Sequence, residues 1–333
     1  MTRILHVGLG PLGLRIINDV IERDLGQIVL AMDANPALVG KNLADLLPNA
    51  NPRVQVLPHT ADLASMRDLF DVAVVTTRSD LPSCADTFRQ LLTLGKAVVS
   101  TCEELVYPWL RHVALAEELD ELAKRHGGRL LGTGVNPGFL MDALPAVLTS
   151  VCKRVRSVAC YRIQDASSRR VPFQQKIGAG LDDEQFASRV RAGTLRHVGL
   201  LESLHFISHY VGLPLERWEE DIGPVKADRD MVCGLGVIHR GRVAGVRQVA
   251  RGYYDERCVL QLEFQAAIGQ DNPHDRVVIE GEPNIDMVIP GGVHGDIATS
   301  AIVINAIPRV LHAGPGLHTM ATIPPTIHST VRV

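Results

Sequence analysis

The chain has 333 residues, 46% hydrophobic and 21% charged, which is enough for two domains with sizeable cores. Its net charge of -3, its 4% aromatic content and the lack of a basic run argue against nucleic acid or an anionic membrane as partner. No apolar stretch reaches the ~18 residues that span a bilayer.

The six cysteines are scattered without Cys-x-x-Cys spacing, as expected of reduced thiols. The chain opens at once on a strand, so no signal segment and a cytoplasmic location are expected. His205 and His209 have i, i+4 spacing but no intervening acid or third ligand, so no metal site is expected.

Residues 3–7 read as a short buried strand, Gly8-Leu-Gly10-Pro11-Leu12-Gly13 as a glycine turn, and residues 12–23 as an amphipathic helix. In this pattern Gly8 allows the tight turn, Gly10 lets a pyrophosphate approach, and Gly13 lets helix and strand pack closely. The helix N-terminus presents free N–H groups to phosphate. Asp33 ends the next apolar run and can accept hydrogen bonds from an adenosine ribose. Together these signals predict dinucleotide binding.

A short helix over 38–47, a strand over 53–57 and a helical segment over 62–70 follow. Residues 71–77 read as a buried strand ending at Thr76-Thr77-Arg78, residues 81–94 as a helix, and residues 96–100 as a strand ending at Ser100. A long helix is expected over 108–126, then a strand over 129–131. Alternation at this spacing predicts a Rossmann-type, doubly wound parallel sheet whose ligands sit at the C-terminal strand ends.

The pattern changes near residue 140. Residues 141–151 read as a linking helix, 154–163 as a strand, 167–180 as an irregular loop, and 182–190 and 198–211 as helices. Strands are expected over 243–254, 259–268, 276–280 and 284–289, in a mostly antiparallel sheet. An apolar helix opens after Gly291-Gly-Val-His294, and the tail with Pro315, Pro324 and Pro325 should be irregular.

The expected organisation is therefore α/β. A dinucleotide-binding domain over 1–140 precedes an α+β substrate and oligomerisation domain over 141–333, whose last helix and tail can pack back on the first. The ligand cleft is expected between the two.

Four stretches carry candidate chemistry. Glu103 and Glu104 follow the fifth strand, where a partly buried carboxylate would have a raised pKa suited to acid–base work. Equally, both suit the N-terminus of the helix after Pro108. Asn136 and Phe139, in Gly132-Thr-Gly-Val-Asn-Pro-Gly-Phe139, reach toward a nicotinamide or substrate, unless this is only an interdomain turn. Arg162, Arg169 or Arg170 could hold a carboxylate bidentately, or lie in a surface loop. His294, with Asp296, Thr299 and Ser300 nearby, suits either a helix cap or substrate orientation.

Gly132–Phe139, Asp165-Ala-Ser-Ser-Arg-Arg170 with Pro172–Gly178, and His197-Val-Gly-Leu-Leu-Glu-Ser203 resemble the 2,4-diaminopentanoate dehydrogenase family. Gly291–Thr299 and Pro315-Gly-Leu-His-Thr-Met320 extend the resemblance over nearly the whole chain. The family includes native amine dehydrogenases, and is more distantly similar to dihydrodipicolinate reductase and meso-diaminopimelate dehydrogenase.

The resemblance implies a homodimeric enzyme catalysing NAD(P)-dependent oxidative deamination of a primary amine or diamino acid. In reverse it would aminate a ketone with ammonia. Glutamate in the Thr-x-Glu-Glu stretch would activate water, with Glu104 the favoured member of the pair. Asn136, Phe139, Arg162, His294 and Thr299 would line the pocket.

Gly8, Gly10, Pro11, Leu12, Gly13, Asp33, Thr76, Thr77, Arg78, Ser100 and Asn136 would hold the cofactor. Asp33 favours NAD because it would repel a 2′-phosphate, while NADP remains possible. The competing readings are an imine or enamine reductase and a non-catalytic NADH-sensing regulator.

Overall fold

Burial decides the first elements of the chain, which a computed structural model describes over residues 1–329. The strands β1 (Arg3–Val7), β2 (Gln27–Asp33), β3 (Val56–Pro58), β4 (Val72–Val75), β5 (Ala97–Ser100) and β6 (Arg129–Gly132) are short and largely apolar. β4 and β5 are buried at every position, as strands covered on both faces must be. All pair in parallel, in the order β6-β5-β4-β1-β2-β3.

Helices α1 (Pro11–Glu22), α2 (Leu43–Leu46), α3 (Leu81–Thr93) and α4 (Val113–His126) connect them. α1 starts on Pro11 and buries the stripe Gly13, Ile16, Ile17 and Val20. α3 is capped by Asp80, whose side chain accepts from the Ser83 N–H at 3.0 Å. α4 ends on Gly127 at φ 75°.

Three expected helices are shorter than their apolar spacing suggests. Over 38–47 only α2 forms, because the Gly40 and Leu43 N–H groups bond to the Val56 and Val54 carbonyls. Over 62–70 only a 3-10 turn at Arg67–Leu69 forms, after the Asp62 side chain has closed a turn on the Ala64 N–H. The stretch 108–126 splits into a 3-10 turn, Pro108–Leu110, and α4, with His112 as the non-helical N-cap residue between them.

Contacts divide the chain into two compact units, residues 1–139 together with the stretch from His294 on, and residues 140–293. The second unit contains α5 (Ala143–Leu148), β7 (Arg154–Asp165), α6 (Val171–Lys176), α7 (Asp183–Arg191) and α8 (Leu200–Val211). Next come β8 (Arg217–Lys226), the hairpin β9 (Met231–Cys233) and β10 (Gly236–Ile238), β11 (Val243–Tyr254), β12 (Arg257–Ala267), β13 (His274–Glu282) and β14 (Ile285–Pro290).

Its sheet runs β14-β13-β7-β12-β11-β8. Only the β7–β12 pairing is parallel. The loop expected over 167–180 holds α6, anchored by buried Gln174, whose amide donates to the Ala166 and Ser167 carbonyls at 3.1 Å each. β8 has no apolar alternation to announce it. It is an edge strand, and its charges face outward, as in the Asp221–Arg251 pair at 2.9 Å. His205 and His209 pack against different aromatic rings, Trp218 and Tyr210.

The chain then returns to the first unit. α9 (Gly295–Leu311) packs on α1, and β15 (Gly316–His318) adds in parallel to β6 as the seventh strand. The tail expected to be irregular thus supplies a sheet edge, held where the Leu317 N–H donates to Asp120 Oδ1 at 2.8 Å. Among the described residues no helix is long and apolar enough to cross a membrane.

Two histidines are enclosed by these cores. Burial lowers His6 to about 4. Burial, then the charges of Lys176 and Arg162, lower His197 to about 3, where its ring stacks on Phe264 at 4.4 Å. Between pH ~6.5 and these values the unfolded chain binds protons that the folded chain refuses, so stability falls as pH falls. At pH 5 each histidine should cost about 2 kcal/mol relative to pH 7.5. Urea unfolding of His197→Phe, which keeps an aromatic ring against Phe264, should show a smaller loss over that interval; an unchanged loss would contradict it.

Candidate dinucleotide and acid–base site

The glycine turn is built by close backbone approach. Gly8 sits at φ 97°, and a Cβ there would lie 2.7 Å from the Thr76 carbonyl oxygen. A Cβ on Gly13 would lie 2.0 Å from the Gly8 carbonyl oxygen, so α1 can cross the turn only without a side chain. Gly10 differs, because nothing lies within 4 Å of its would-be Cβ. It is exposed, as is Pro11, while Leu12 is half-buried. Open space over Gly10 beside the first turn of α1, which has no acidic residue, fits a phosphate-bearing ligand.

Two side chains brace the turn from below. The Thr76 hydroxyl donates to the Gly8 carbonyl at 2.8 Å. With that proton committed, the His6 ring donates through Nε2 to Thr76 Oγ1 at 3.2 Å. His6 lies inside an apolar strand and carried no signal in the sequence. Asp33, at the end of β2, accepts from the Leu9 N–H at 2.6 Å and from the Asn35 N–H at 2.7 Å. Its carboxylate is thereby fixed beside the turn, with lone pairs left for a ribose hydroxyl.

At the next strand ends, Thr77 and Arg78 are exposed while Ser100 is buried. The Ser100 hydroxyl donates to the Val75 carbonyl at 3.0 Å and accepts from the Cys102 N–H at 3.1 Å. This holds the turn into the glutamate pair and commits the hydroxyl to backbone partners.

Glu103–Val106 form one 3-10 turn. Glu104 is only 7% exposed, and its Oε2 accepts from the Leu81 N–H and from His112 Nε2, each at 2.9 Å. Leu81 opens α3 and His112 caps α4, so Glu104 faces the layer formed by those two helices. Successive residues on a 3-10 turn point about 120° apart. Glu103, half-buried, therefore leaves the turn in a different direction. The sequence showed two adjacent acids. The role of His112 in orienting one of them had no motif to reveal it.

The 132–139 segment and the start of α9 meet in the same unit. A Cβ on Gly138, at φ 121°, would lie 2.4 Å from the Gly134 nitrogen, so the turn closes on itself only with glycine. Thr299 Oγ1 accepts from the Val135 N–H at 3.2 Å and ties α9 to that turn. Asn136 and Phe139 are half-buried along it. His294 is exposed and serves as N-cap, its Nδ1 accepting from the Ile297 N–H at 3.5 Å.

Arg162, expected to line the pocket, is held in a buried ion pair. It lies in the second unit, 2% exposed, where Nη1 bonds Asp275 Oδ1 at 2.7 Å and Nη2 donates to the Val293 carbonyl at 3.2 Å. Asp275 Oδ2 in turn accepts from the Val293 N–H at 2.8 Å. The guanidinium is spent on this ion pair and anchors the residue before His294, because a charge buried this deeply needs its partner.

Gly10 and Gly13 separate ligand binding from folding. At φ -66° Gly10 accepts alanine without backbone strain. Gly10→Ala should keep the wild-type melting temperature but weaken NADH binding about tenfold or more, or about 1.4 kcal/mol. Gly13→Ala should instead cost about 3 kcal/mol of stability. Fluorescence titration and thermal melting read both, and undiminished NADH binding by Gly10→Ala would contradict the placement of the phosphates.

Comparison with known proteins agrees with this architecture. The family model for the 2,4-diaminopentanoate dehydrogenase C-terminal domain matches residues 139–332. A 2,4-diaminopentanoate dehydrogenase of Acetoanaerobium sticklandii is 30% identical, over 97% of this chain and 93% of its own length. An amine dehydrogenase of Streptomyces virginiae is 24% identical, over 95% of this chain and 94% of its own length. The solved structure of an amine dehydrogenase from Mycobacterium smegmatis superposes with a TM-score of 0.83 at 26% identity, covering 99% of this chain and 98% of that one. The chain belongs to the 2,4-diaminopentanoate dehydrogenase family of oxidoreductases.

Proposed function

We propose that the protein is an NAD-dependent amine dehydrogenase that converts a small primary amine or diamino acid to a ketone and ammonia, and catalyses the reverse amination. The observation that carries the reading is the division between the two glutamates. Glu104 is held by the Leu81 N–H and His112, whereas Glu103 leaves the same turn half-buried.

A bound nicotinamide would supply the hydride acceptor. The chain's own residues handle position and protons. The glycine turn and α1 N-terminus hold the pyrophosphate, with the Thr76 hydroxyl keeping the turn in shape. Asp33 receives the adenosine ribose, and its fixed carboxylate disfavours a 2′-phosphate, which supports NAD over NADP. Thr77 and Arg78 flank the cofactor at the β4 end, and Asn136, Phe139 and His294 line the amine side. Glu103 takes a proton from the water that adds to the oxidised carbon and returns one to nitrogen as ammonia leaves. Glu104 orients that turn. Thr299 keeps the 132–139 turn in register.

A homodimer is part of this reading. On β7, Ala159, Tyr161 and Ile163 stay half-buried, while the alternating Val158, Cys160 and Arg162 are buried. A monomer mass in sedimentation would contradict it.

Glu103→Gln should lower kcat for amine-dependent NAD reduction by about 10²- to 10⁴-fold, leaving NADH affinity and melting temperature unchanged. Glu104→Ala should cost about 2 kcal/mol of stability, because the Leu81 N–H loses its buried acceptor, while kcat stays within about tenfold. Steady-state kinetics with ammonia assay and thermal melting check both. Full kcat in Glu103→Gln together with loss of turnover in a folded Glu104 variant would reverse the assignment. Absence of ammonia release with any amine would overturn the reaction itself.

A further inference from the structure

Position 6 of β1 is a place for an apolar side chain. Leu5 and Val7 flank it, Ile4 shares its face of the strand, and His6 itself is 0% exposed. The imidazole is nonetheless only half satisfied there. Nε2 meets Thr76 Oγ1 at 3.2 Å, whereas Nδ1 is buried with no hydrogen-bond partner among the described residues. A buried polar atom in that state works against folding. Leucine would avoid the cost, so packing alone does not account for a histidine.

What the ring supplies is a donor directed at one peptide group. Burial lowers His6 to about 4, so the neutral ring carries a single proton. On Nδ1 that proton would be a buried donor without an acceptor, and Nε2 would compete with a carbonyl for the Thr76 hydroxyl proton. On Nε2 it meets the Thr76 oxygen, and the hydroxyl must pass its own proton onward.

Two carbonyls lie within reach of that hydroxyl, Gly8 at 2.8 Å and Val7 at 3.3 Å. The nearer one belongs to the peptide whose N–H, on Leu9, donates to Asp33 Oδ2 at 2.6 Å. A trans peptide is planar with its C=O and N–H opposed, so holding one end directs the other. Helix α1 rests on the same atoms. A Cβ on Gly13 would lie 2.8 Å from Thr76 Oγ1 and 2.9 Å from His6 Nε2.

We propose that His6 is a positioning residue for the cofactor, a role that rests on the dinucleotide reading of the turn. Through Thr76 and the Gly8–Leu9 peptide, it sets the direction of Asp33 and of the turn that receive the adenosine ribose and the pyrophosphate. Hydrogen bonds in series strengthen one another, so the donor at the start of the chain is felt at its end.

His6→Leu in the full-length protein tests this, with thermal melting and calorimetric titration of NADH and ADP-ribose as readouts. ADP-ribose carries the ribose and pyrophosphate but no nicotinamide. The melting temperature should equal or exceed that of the wild type, while affinity for both ligands falls about five- to tenfold. KM for NAD should rise by the same factor, with kcat at saturation changing less than about twofold. His6→Gln places an amide nitrogen the same number of bonds from Cα as Nε2, and should recover most of the affinity. In a Thr76→Val background His6→Leu should weaken binding no further, because the chain is already cut.

Unchanged affinity in His6→Leu, or a loss of affinity matched by a fall in melting temperature, would overturn the proposal. So would an equal loss in His6→Gln, or additive losses in the double variant. ADP-ribose binding involves no turnover, so these outcomes are separate from failure of the amine chemistry. A wild-type protein that binds neither ligand would overturn the proposal together with the cofactor reading.

Discussion

The first unit depends on one steric constraint, the approach of α1 to the turn that precedes it. The Gly13 backbone comes so near the Gly8 carbonyl that a methyl group there would sit at 2.0 Å. The Thr76 hydroxyl holds that same carbonyl, and buried, neutral His6 holds Thr76. β1, β4 and α1 are thereby locked around one peptide group. Gly10, two residues on, stays open. A rigid frame beneath an open backbone lets a helix terminus receive phosphate without rearranging.

The same economy appears at the end of β5. Buried carboxylates need donors, and Glu104 finds two at the starts of α3 and α4. This fixes the 3-10 turn from which Glu103 also projects. A buried charge is used similarly in the second unit, where Arg162 and Asp275 both grip Val293. In each case a buried charged group ties its own segment to a neighbouring one.

The parallel sheet and the glycine turn were legible in the sequence because fully buried short strands and close backbone approach leave strong local marks. The position of Asp33 at the end of β2 was legible for the same reason. Four kinds of information were not local. The ion pair of Arg162 left no local mark because its partner, Asp275, is 113 residues away. Which of Glu103 and Glu104 faces the helices depends on a 3-10 turn and on His112, not on residue type. β8 and β15 were silent because edge strands need no apolar alternation: β8 is charged and β15 only three residues long. The return of α9 to the first unit was left open by its uniform apolarity, and contact with α1 supplies the answer.

The most direct test of the account is the ammonium dependence of NADH oxidation with a ketone or keto acid as acceptor. An amine dehydrogenase predicts oxidation that is absent without ammonium, saturates as ammonium rises, and yields one amine per NADH consumed. NADH oxidation that proceeds equally without ammonium, or none with any acceptor, would contradict it.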